Sequence, residues 1–526
     1  MYSRARGGMS TPCYEQTMRR LVVLLLAVGA CGSPTSIAAT APSAPTAVVA
    51  ALVPLTPVHL HATGWQQLCG TPGPEPKGGR CTLAAVDEDE DGSALVTGSF
   101  EGSTPLFGTR TTSGTSRSLL IARFSPTGAV QWIKAVGKKP KKDILILNSG
   151  QRVLALGSGL VALAGVHGPD FDLGGGSLPV GPRSGLVTLD GFFAILRNDG
   201  SPSFAANLDA LAFGAERSLP LLELVPFGIH HDGTGGAWVL AGRPDAPLVA
   251  VHLSSSGVVL ARIQYPVVLR RDVQTDTLSL HPTLGSDRII GSFNFAHDPG
   301  RSMAIAPDGT LAVIDADPTP ARGLVLHRFL PSGVEMTPVQ LDLKRPPTGW
   351  WQAFVAMGKQ GEAYVAASSD TQHIKTNFAS SAAAVYRIDA DGTVRWVWNA
   401  APIENYVTML GVSISGSVIK AVVAFRDNLV AAPDARVPTP TPNPTDSAGT
   451  PGLAVITFGT DGRVQSADGF GSASPCPDWI PALVTNVVAS KHLWLLAPAR
   501  DVTPGVCGNG FGFNGGVLIT SMTMDP

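Results

Sequence analysis

The chain has 526 residues, 15% of them charged and 6% aromatic, with 59 Gly, 43 Pro and a formal net charge of −2. So even a charge balance gives no reason to expect a nucleic-acid or polyphosphate partner. Glycine and proline at this density cut the chain into short pieces, and no sustained amphipathic helical pattern lies beyond the N-terminus, so the composition implies an all-β protein of many short strands.

In chain order, the first element is a secretory signal. From Met18 the sequence reads Met-Arg-Arg, then an apolar run from Leu21 to Val28, then Gly29-Ala30-Cys31. This is too short to span a bilayer as a mature helix. Residues 1–17 read as an over-extended start, because Met18 already opens a complete signal. The ending Val28-Gly29-Ala30-Cys31 resembles the bacterial lipoprotein signal. That resemblance implies that residues 1–30 are removed, that Cys31 is acylated, and that the membrane partner is reached through its lipid. Gly32 stands where enteric lipoproteins kept in the inner membrane carry aspartate, so the expected location is the cell envelope at the outer membrane. Residues 31–52, rich in Ser, Thr, Pro and Ala, are expected to be a flexible tether, since they cannot bury enough apolar surface to offset their ordering entropy.

Residues 53–526 read as one domain built from two alternating hairpins. The first type is a strand, a Gly-containing turn and a strand rich in Val, Ala and Gly. It is found at Leu83–Phe100, Val153–Val166, Ile229–Gly242, Met303–Ile314, Val355–Ala367, Val412–Phe425 and Leu483–Leu496. The second has a Gly-centred turn and in places a closing tryptophan, as in Tyr386 to Trp398. It is found at Leu119–Lys134, Phe192–Ala205, Leu248–Ile263, Leu324–Val339, Ala384–Trp398 and Leu453–Ala467. Asp-Gly is a strong hairpin signal because glycine adopts the positive φ of such turns without steric cost. A seventh second-type unit starts at Gly516–Thr523 and lacks its partner strand, for which Val58–Trp65 is the expected source. Closing a ring with strands from both termini removes the sheet edges that invite aggregation. The fold class expected is therefore a β-propeller of seven four-stranded blades, with six or eight as the alternatives. Long irregular segments, among them Pro433–Pro451 and Tyr265–Arg301, fall on the face opposite the tight turns, where a ligand is expected because long loops on a rigid scaffold carry binding residues.

Met303 to Val313 resembles the inner hairpin of NHL-type propellers. Phe107-Gly108 with Leu120 to Phe124, and Phe171-Asp172-Leu173-Gly174-Gly175-Gly176 with Phe193 to Ile195, are similar to the SBBP-type propeller repeats of myxobacterial lipoproteins. Such families share a scaffold and no one chemistry, so the resemblance implies a fold and an address without an activity.

Cys69, Cys81, Cys476 and Cys507 remain after the leader, an even number in an oxidising compartment. Three pairings are open; the repeat map favours Cys69–Cys81 and Cys476–Cys507, each closing the loops of one blade region, against four free thiols. Asp87, Asp89 and Asp91, before Gly92, match the opening of a calcium loop, but Gly98 stands where an EF-hand has its bidentate glutamate, so an acidic hairpin tip is the competing reading and no cofactor is assigned. His230-His231-Asp232 and His59-Leu60-His61 offer imidazoles without a spaced partner set, and Lys138 to Lys142 is a basic loop. No Gly-x-Ser-x-Gly, His-Glu-x-x-His or P-loop is present, and no catalytic residue is assigned. The leading functional expectation is a non-catalytic, monomeric binding or scaffold module for an envelope protein or glycan. The alternatives are a glycan hydrolase or lyase with a site in the propeller funnel, and a scaffold similar to the lipoprotein of outer-membrane barrel assembly, whose Gly-x-x-x-Trp repeat is echoed at Gly128–Trp132 and Gly392–Trp396. Acidic and histidine side chains clustered at the centre favour an enzyme.

Overall fold

The computed structural model describes residues 58–61, 66–70, 80–113, 117–137, 148–179, 190–214, 224–243, 246–271, 280–284, 288–289, 302–316, 324–343, 349–371, 382–400, 407–426, 428–438, 451–470, 486–489, 492–499 and 516–523, all within the unit Leu55–Pro526. They are almost entirely β. Seven sheets each contain four antiparallel strands in sequence order, and the seventh takes its fourth strand from the N-terminal side of the chain. Sheet 1 is Arg80–Glu88, Ala94–Glu101, Ser118–Phe124 and Val130–Val136; sheet 2 is Ser149–Gly157, Leu160–His167, Asp190–Leu196 and Pro202–Asn207. Sheet 3 is Val225–His231, Ala237–Gly242, Pro247–Leu253 and Val259–Arg271, extended by Leu280–Leu284 and Arg288–Ile289. Sheet 4 is Met303–Ile305, Leu311–Ala316, Leu324–Phe329 and Val339–Leu341; sheet 5 is Gly349–Met357, Ala363–Thr371, Ala382–Ile388 and Val394–Asn399. Sheet 6 is Val407–Ser415, Val418–Arg426, Pro451–Phe458 and Val464–Phe470; sheet 7 is Asn486–Ala489, His492–Ala499, Gly516–Thr523 and Gln66–Cys69, extended by the hairpin Ser103–Leu106 and Thr109–Thr112. Among the described residues the one α-helix is the short Leu208–Phe213, and no helix is long and apolar enough to cross a membrane.

Position within a sheet decides composition. Middle strands are covered on both faces, so Ser118–Phe124 and Asp190–Leu196 are buried throughout and read as near-continuous apolar runs. Fourth strands are half in solvent, and Val130–Val136 and Val394–Asn399 mix apolar and polar residues accordingly. Apolar layers fill the spaces between sheets 1 and 2, 2 and 3, 3 and 4, 4 and 5, 5 and 6, and 7 and 1. Each first strand lies beside the first strand of the next sheet, and Asn486–Ala489 lies beside both Val407–Ser415 and Arg80–Glu88.

The hairpins share one turn. In nine places the glycine N–H donates to a carbonyl three residues back, and that residue's N–H returns a bond to the residue after the glycine, as in Gly92–Asp89 with Asp89–Ser93. The glycine has positive φ, +82° at Gly462 and +83° at Gly257. At both it is also overlaid by an aromatic ring of the preceding sheet: a Cβ would stand 2.5 Å from Trp396 at Gly462 and 2.2 Å from Phe204 at Gly257. Conformation and contact both require glycine there.

Three expectations need correction. The strand that completes sheet 7 is Gln66–Cys69, antiparallel to Gly516–Thr523, while Val58–His61 pairs in parallel with Val464–Phe470 of sheet 6; Trp65 lies outside the described residues. The physical reason is the covalent pin: Cys69, fully buried, is disulfide-bonded to Cys81 with Cα atoms 5.7 Å apart. The Cys69–Cys81 pairing that the repeat map favours is present, but the bond joins sheet 7 to sheet 1 instead of closing loops within one blade region. Third, Pro433–Pro451 is not all surface loop. Asn428–Ala432 and Ala435–Pro438 form a hairpin in which Leu429, Ala431, Ala435 and Val437 are buried to 1% exposure or less. Cys31, Cys476, Cys507, Lys138 to Lys142 and the tether lie outside the described residues.

The two N-terminal strands should separate in unfolding experiments. A chain starting at residue 62 is expected to unfold within a few degrees of the longer one, whereas a chain starting at residue 70 loses the fourth strand of sheet 7 and the disulfide, the latter alone worth about 3 kcal/mol. Equal midpoints for the two would show that Gln66–Cys69 does not complete the sheet.

Candidate functional site

Ionisable side chains gather where the first strands of the sheets run into their tight turns. Asp87 ends the first strand of sheet 1 and its Oδ2 accepts the N–H of Ala155 in sheet 2 at 2.7 Å. Glu88, its side chain 1% exposed, accepts from Nδ1 of His492 at 2.8 Å and from the His492 backbone N–H at 3.0 Å, tying sheet 1 to sheet 7. Glu90, exposed at the turn, lies against Gly157 of sheet 2, where a Cβ would come within 2.8 Å of its Oε1. In sheet 2, Arg152 donates from Nε to the Phe227 carbonyl of sheet 3 and from Nη1 to the Gln151 carbonyl. His230 and His231 end the first strand of sheet 3, and Lys420 stands near the start of the second strand of sheet 6.

These groups feel one another across sheets that are not neighbours. His231 of sheet 3 interacts with Glu90 of sheet 1, and Lys420 of sheet 6 interacts with Glu88 of sheet 1. Burial pushes the Asp87 carboxyl up to about 7, with the charges of Glu88 and Asp89 adding to the shift and the Ala155 N–H opposing it. Burial lowers His230 to about 4, helped by Arg152 and His231, so its imidazole is neutral near pH 7; its Nε2 is buried with no hydrogen-bond partner. His231 keeps an edge open to solvent, yet the protein around it still lowers its affinity for a proton, against Asp232 and Glu90. Burial also lowers Lys420, against Asp468 and Glu88. A carboxyl able to hold a proton near neutrality beside a neutral imidazole is a pattern that active sites share with buried polar networks.

The calcium reading of Asp87, Asp89 and Asp91 is not what the geometry brings together. Asp87 turns to sheet 2, while Asp89 and Asp91 both meet Nη2 of Arg123 at 2.9 Å, with Arg123 and Asp89 buried. The guanidinium occupies the place a cation would take, and a buried carboxylate left without it would carry a large desolvation cost. Among the described residues no group of three or more His, Cys, Asp or Glu side chains is placed to hold a metal ion. Asp232 makes its hydrogen bonds away from the histidine pair. Although burial works against ionisation, bonds from His252, Thr234 and the N–H groups of Thr234 and Gly236 hold it down to about 2. The backbone of His59 and His61 lies in the parallel strand on sheet 6. Sequence reasoning found the acidic run from Asp87 to Asp91, Glu90 included, and the histidine pair, and missed Arg152, Lys420 and His492. Their one signal was position, at or beside the turn ends of the two inner strands. The cluster is on the tight-turn side, not the long-loop side where a ligand was expected.

No family model matches the chain, and no curated protein matches it. It is similar in structure to a polysaccharide lyase, an ulvan lyase bound to a sulfated glucuronic acid–rhamnose saccharide, with a TM-score of 0.37 and 10% identity over 87% of this chain and 94% of that one. It is similar to a DUF4221-family protein of Bacteroides vulgatus, with a TM-score of 0.32 and 8% identity over 88% and 97% of the two chains. It is also similar to the allergen Mala s 1 of Malassezia sympodialis, with a TM-score of 0.30 and 11% identity over 73% and 90%. Likeness at this level carries no function across.

The opposed shifts of Asp87 and His230 predict a specific pH dependence. A carboxyl raised from 3.8 to about 7 is protonated in the folded state where the unfolded chain has lost its proton, so it lowers stability as pH rises through that window. A histidine lowered from 6.5 to about 4 does the reverse, adding stability as pH rises from 4 to 6.5. In Asp87→Asn only the second slope remains. Thermal midpoints of the variant should climb from pH 4 to 6.5 and exceed those of the wild type at pH 8, where the buried charge is gone. Parallel curves for the two proteins would place the Asp87 carboxyl in an ordinary solvated environment.

Proposed function

We propose that the seven sheets are the blades of one β-propeller, and that it serves as a non-catalytic binding module held at the cell envelope by acyl chains on Cys31. The ring reading is supported by neighbour relations that run from each sheet to the next and bring sheet 7 back against sheet 1. The address is supported by the signal ending in Val28-Gly29-Ala30-Cys31. Acylation of a lipoprotein supplies the two or more chains that stable anchoring needs.

The observation that carries the binding role is the meeting of side chains from sheets 1, 2, 3, 6 and 7 at the turn ends of the inner strands. Glu90 and His231 are its exposed members. Carboxylates accept and imidazoles donate or accept, while neither sign of charge dominates, a mixture suited to the hydroxyl groups of a glycan segment. A second reading, a glycan hydrolase or lyase, is favoured by one feature: Asp87 and His230 have proton affinities pushed in opposite directions within one cluster, as general acid–base chemistry requires. No step is assigned to them.

Two measurements test the proposal. Mass spectrometry of the N-terminal peptide after bacterial expression is expected to find an acylated Cys31; an unmodified start elsewhere removes the anchor. For binding, isolated envelope glycans are titrated into wild type and into Glu90→Gln and His231→Gln. A loss of about tenfold in affinity, or roughly 1.4 kcal/mol, is expected for each. Undiminished binding would move the site away from the turn ends, and turnover abolished by Asp87→Asn would select the enzyme.

A further inference from the structure

Val58–His61 does not belong to the repeat. Sheet 6 already has its four strands, Val407–Ser415, Val418–Arg426, Pro451–Phe458 and Val464–Phe470, before this segment is added. It is laid on the outer edge in parallel, Val58 opposite Ala467 through His61 opposite Phe470, while every other strand pairing among the described residues is antiparallel. Ala435–Pro438, the second strand of a hairpin inserted between the second and third strands of sheet 6, lies beside both this segment and Val464–Phe470. Edge and hairpin form a slot, and the chain's own strand fills it. Ala467, Asp468 and Phe470, the residues paired with the segment, are at most 4% exposed, and Ala467 shares an apolar cluster with Leu429, Ala431, Ala435 and Val437 of the hairpin.

The segment can leave without opening the rest of the molecule. Gln66–Cys69 is held in sheet 7 by its own antiparallel register and by the bond to Cys81. A four-residue parallel ladder is a weak hold, since parallel pairing is slightly less stable per residue and each hydrogen bond nets only about 1 kcal/mol. Once vacated, the edge presents unpaired N–H and C=O groups, the template used in recognition by strand addition.

We infer that the outer edge of sheet 6 is a docking site for an extended segment of a partner protein, and that Val58–His61 is a strap that occupies it in the partner's absence. The ligand is a peptide strand of at least four residues in which apolar and polar side chains alternate, as in the resident Val-His-Leu-His, entering parallel to Val464–Phe470. Main-chain bonds supply the affinity, and the hairpin wall limits the slot to a single strand. Competition with a tethered strap, present at an effective concentration in the millimolar range, sets the threshold a partner must exceed. This site is separate from the turn-end cluster and does not depend on it.

The test uses the full chain and a fluorescent peptide of residues 56–63. Leu60→Pro removes a main-chain donor from the strap, and replacement of Val58–His61 by Gly-Ser-Gly-Ser removes its strand character while keeping its length. Both variants are expected to bind the peptide at least about tenfold more tightly than the wild type, with thermal midpoints close to it. Shortening the wall by replacing Asn428–Pro438 with a tight turn in the Leu60→Pro chain should abolish that binding. Equal binding by variants and wild type, absence of binding by folded variants, or failure of either variant to fold would each overturn the inference. Concentration-dependent dimers of the wild type, lost in Leu60→Pro, would reassign the slot to a second copy of this chain and likewise overturn it.

Discussion

Among the described residues, sheets 1, 3, 4, 5 and 7 each hold the next sheet through hydrogen bonds from long side chains to carbonyls of its glycine turn. Trp132 Nε1 of sheet 1 donates to Asn198 of sheet 2 at 2.7 Å, and Lys134 Nζ donates to Gly200 at 3.0 Å. Trp238 and Tyr265 of sheet 3 reach Pro307 and Gly309 of sheet 4; Arg328 of sheet 4 reaches Asp389 and Ala390 of sheet 5; Arg387 and Trp396 of sheet 5 both reach Thr460 of sheet 6. Gln67 of sheet 7 donates to Gly128 of sheet 1 at 3.1 Å, so the last sheet treats the first as its successor. Most of these carbonyls lie outside the turn's own bonding pattern (Asp389, which also accepts the Gly392 N–H, is shared), and glycine lets the donor's ring or guanidinium lie directly on the backbone. One such bond nets only about 1 kcal/mol, but it also fixes the offset between sheets whose apolar layers alone would permit sliding.

One position in the second hairpin type specialises this design. Five residues before the turn glycine stand Arg123, His252, Arg328 and Arg387. In sheets 1 and 3 the residue turns inward to its own sheet's first turn, Arg123 to Asp89 and Asp91, His252 to Asp232, where it also stacks on Trp238 at 4.4 Å between ring centroids. In sheets 4 and 5 it turns outward to the next sheet. Arg328, 1% exposed, has Nε and Nη2 buried without partners, and burial lowers its hold on its proton against the attraction of Asp391. That cost is tolerated because the two carbonyl bonds from Nη1 locate the neighbouring turn, while deleting one partner of a buried charge costs far more than the pair contributes.

The hairpins were legible because their signals are local. A glycine that must take positive φ, between apolar runs, marks the turn within a residue, and Met303 to Ile314 and Gly516–Thr523 lie where the sequence places them. Even the Gly-x-x-x-Trp echo has a cause, since Trp132 and Trp396 sit four residues past the turn and face the next sheet's carbonyls. What was not legible depends on distant partners. Nothing in Val58 to Cys69 says which half joins the C-terminal strand; the answer lies in a sulfur partner twelve residues on. The Asn428–Pro438 hairpin was hidden by its Thr-Pro continuation, although Leu429, Ala431, Ala435 and Val437 alternate as a buried strand pair should. The Phe-Asp-Leu-Gly-Gly-Gly element belongs to the same design: Asp172 accepts from Gly174 and Gly176, and Phe171 and Leu173 are buried with Val136 of the preceding sheet.

The same geometry explains why the charged cluster lies beside the tight turns and not among the long loops. The turns are tightly constrained, each by its own two bonds, many also by an Asp or Ser side chain that accepts from the turn's backbone N–H, and several by a donor from the preceding sheet. Side chains that end the inner strands inherit that rigidity. Groups such as Asp87 and His230 therefore cannot relax into water, and burial shifts their proton affinities because the frame does not move. Loop length on the opposite side can vary while the turn-end bonds stay in place, although Trp398 of sheet 5 does reach Ala431 in the long connection of sheet 6. A repeat protein of this kind can change its loops and still keep a fixed polar cluster at its turn ends, built by several sheets at once.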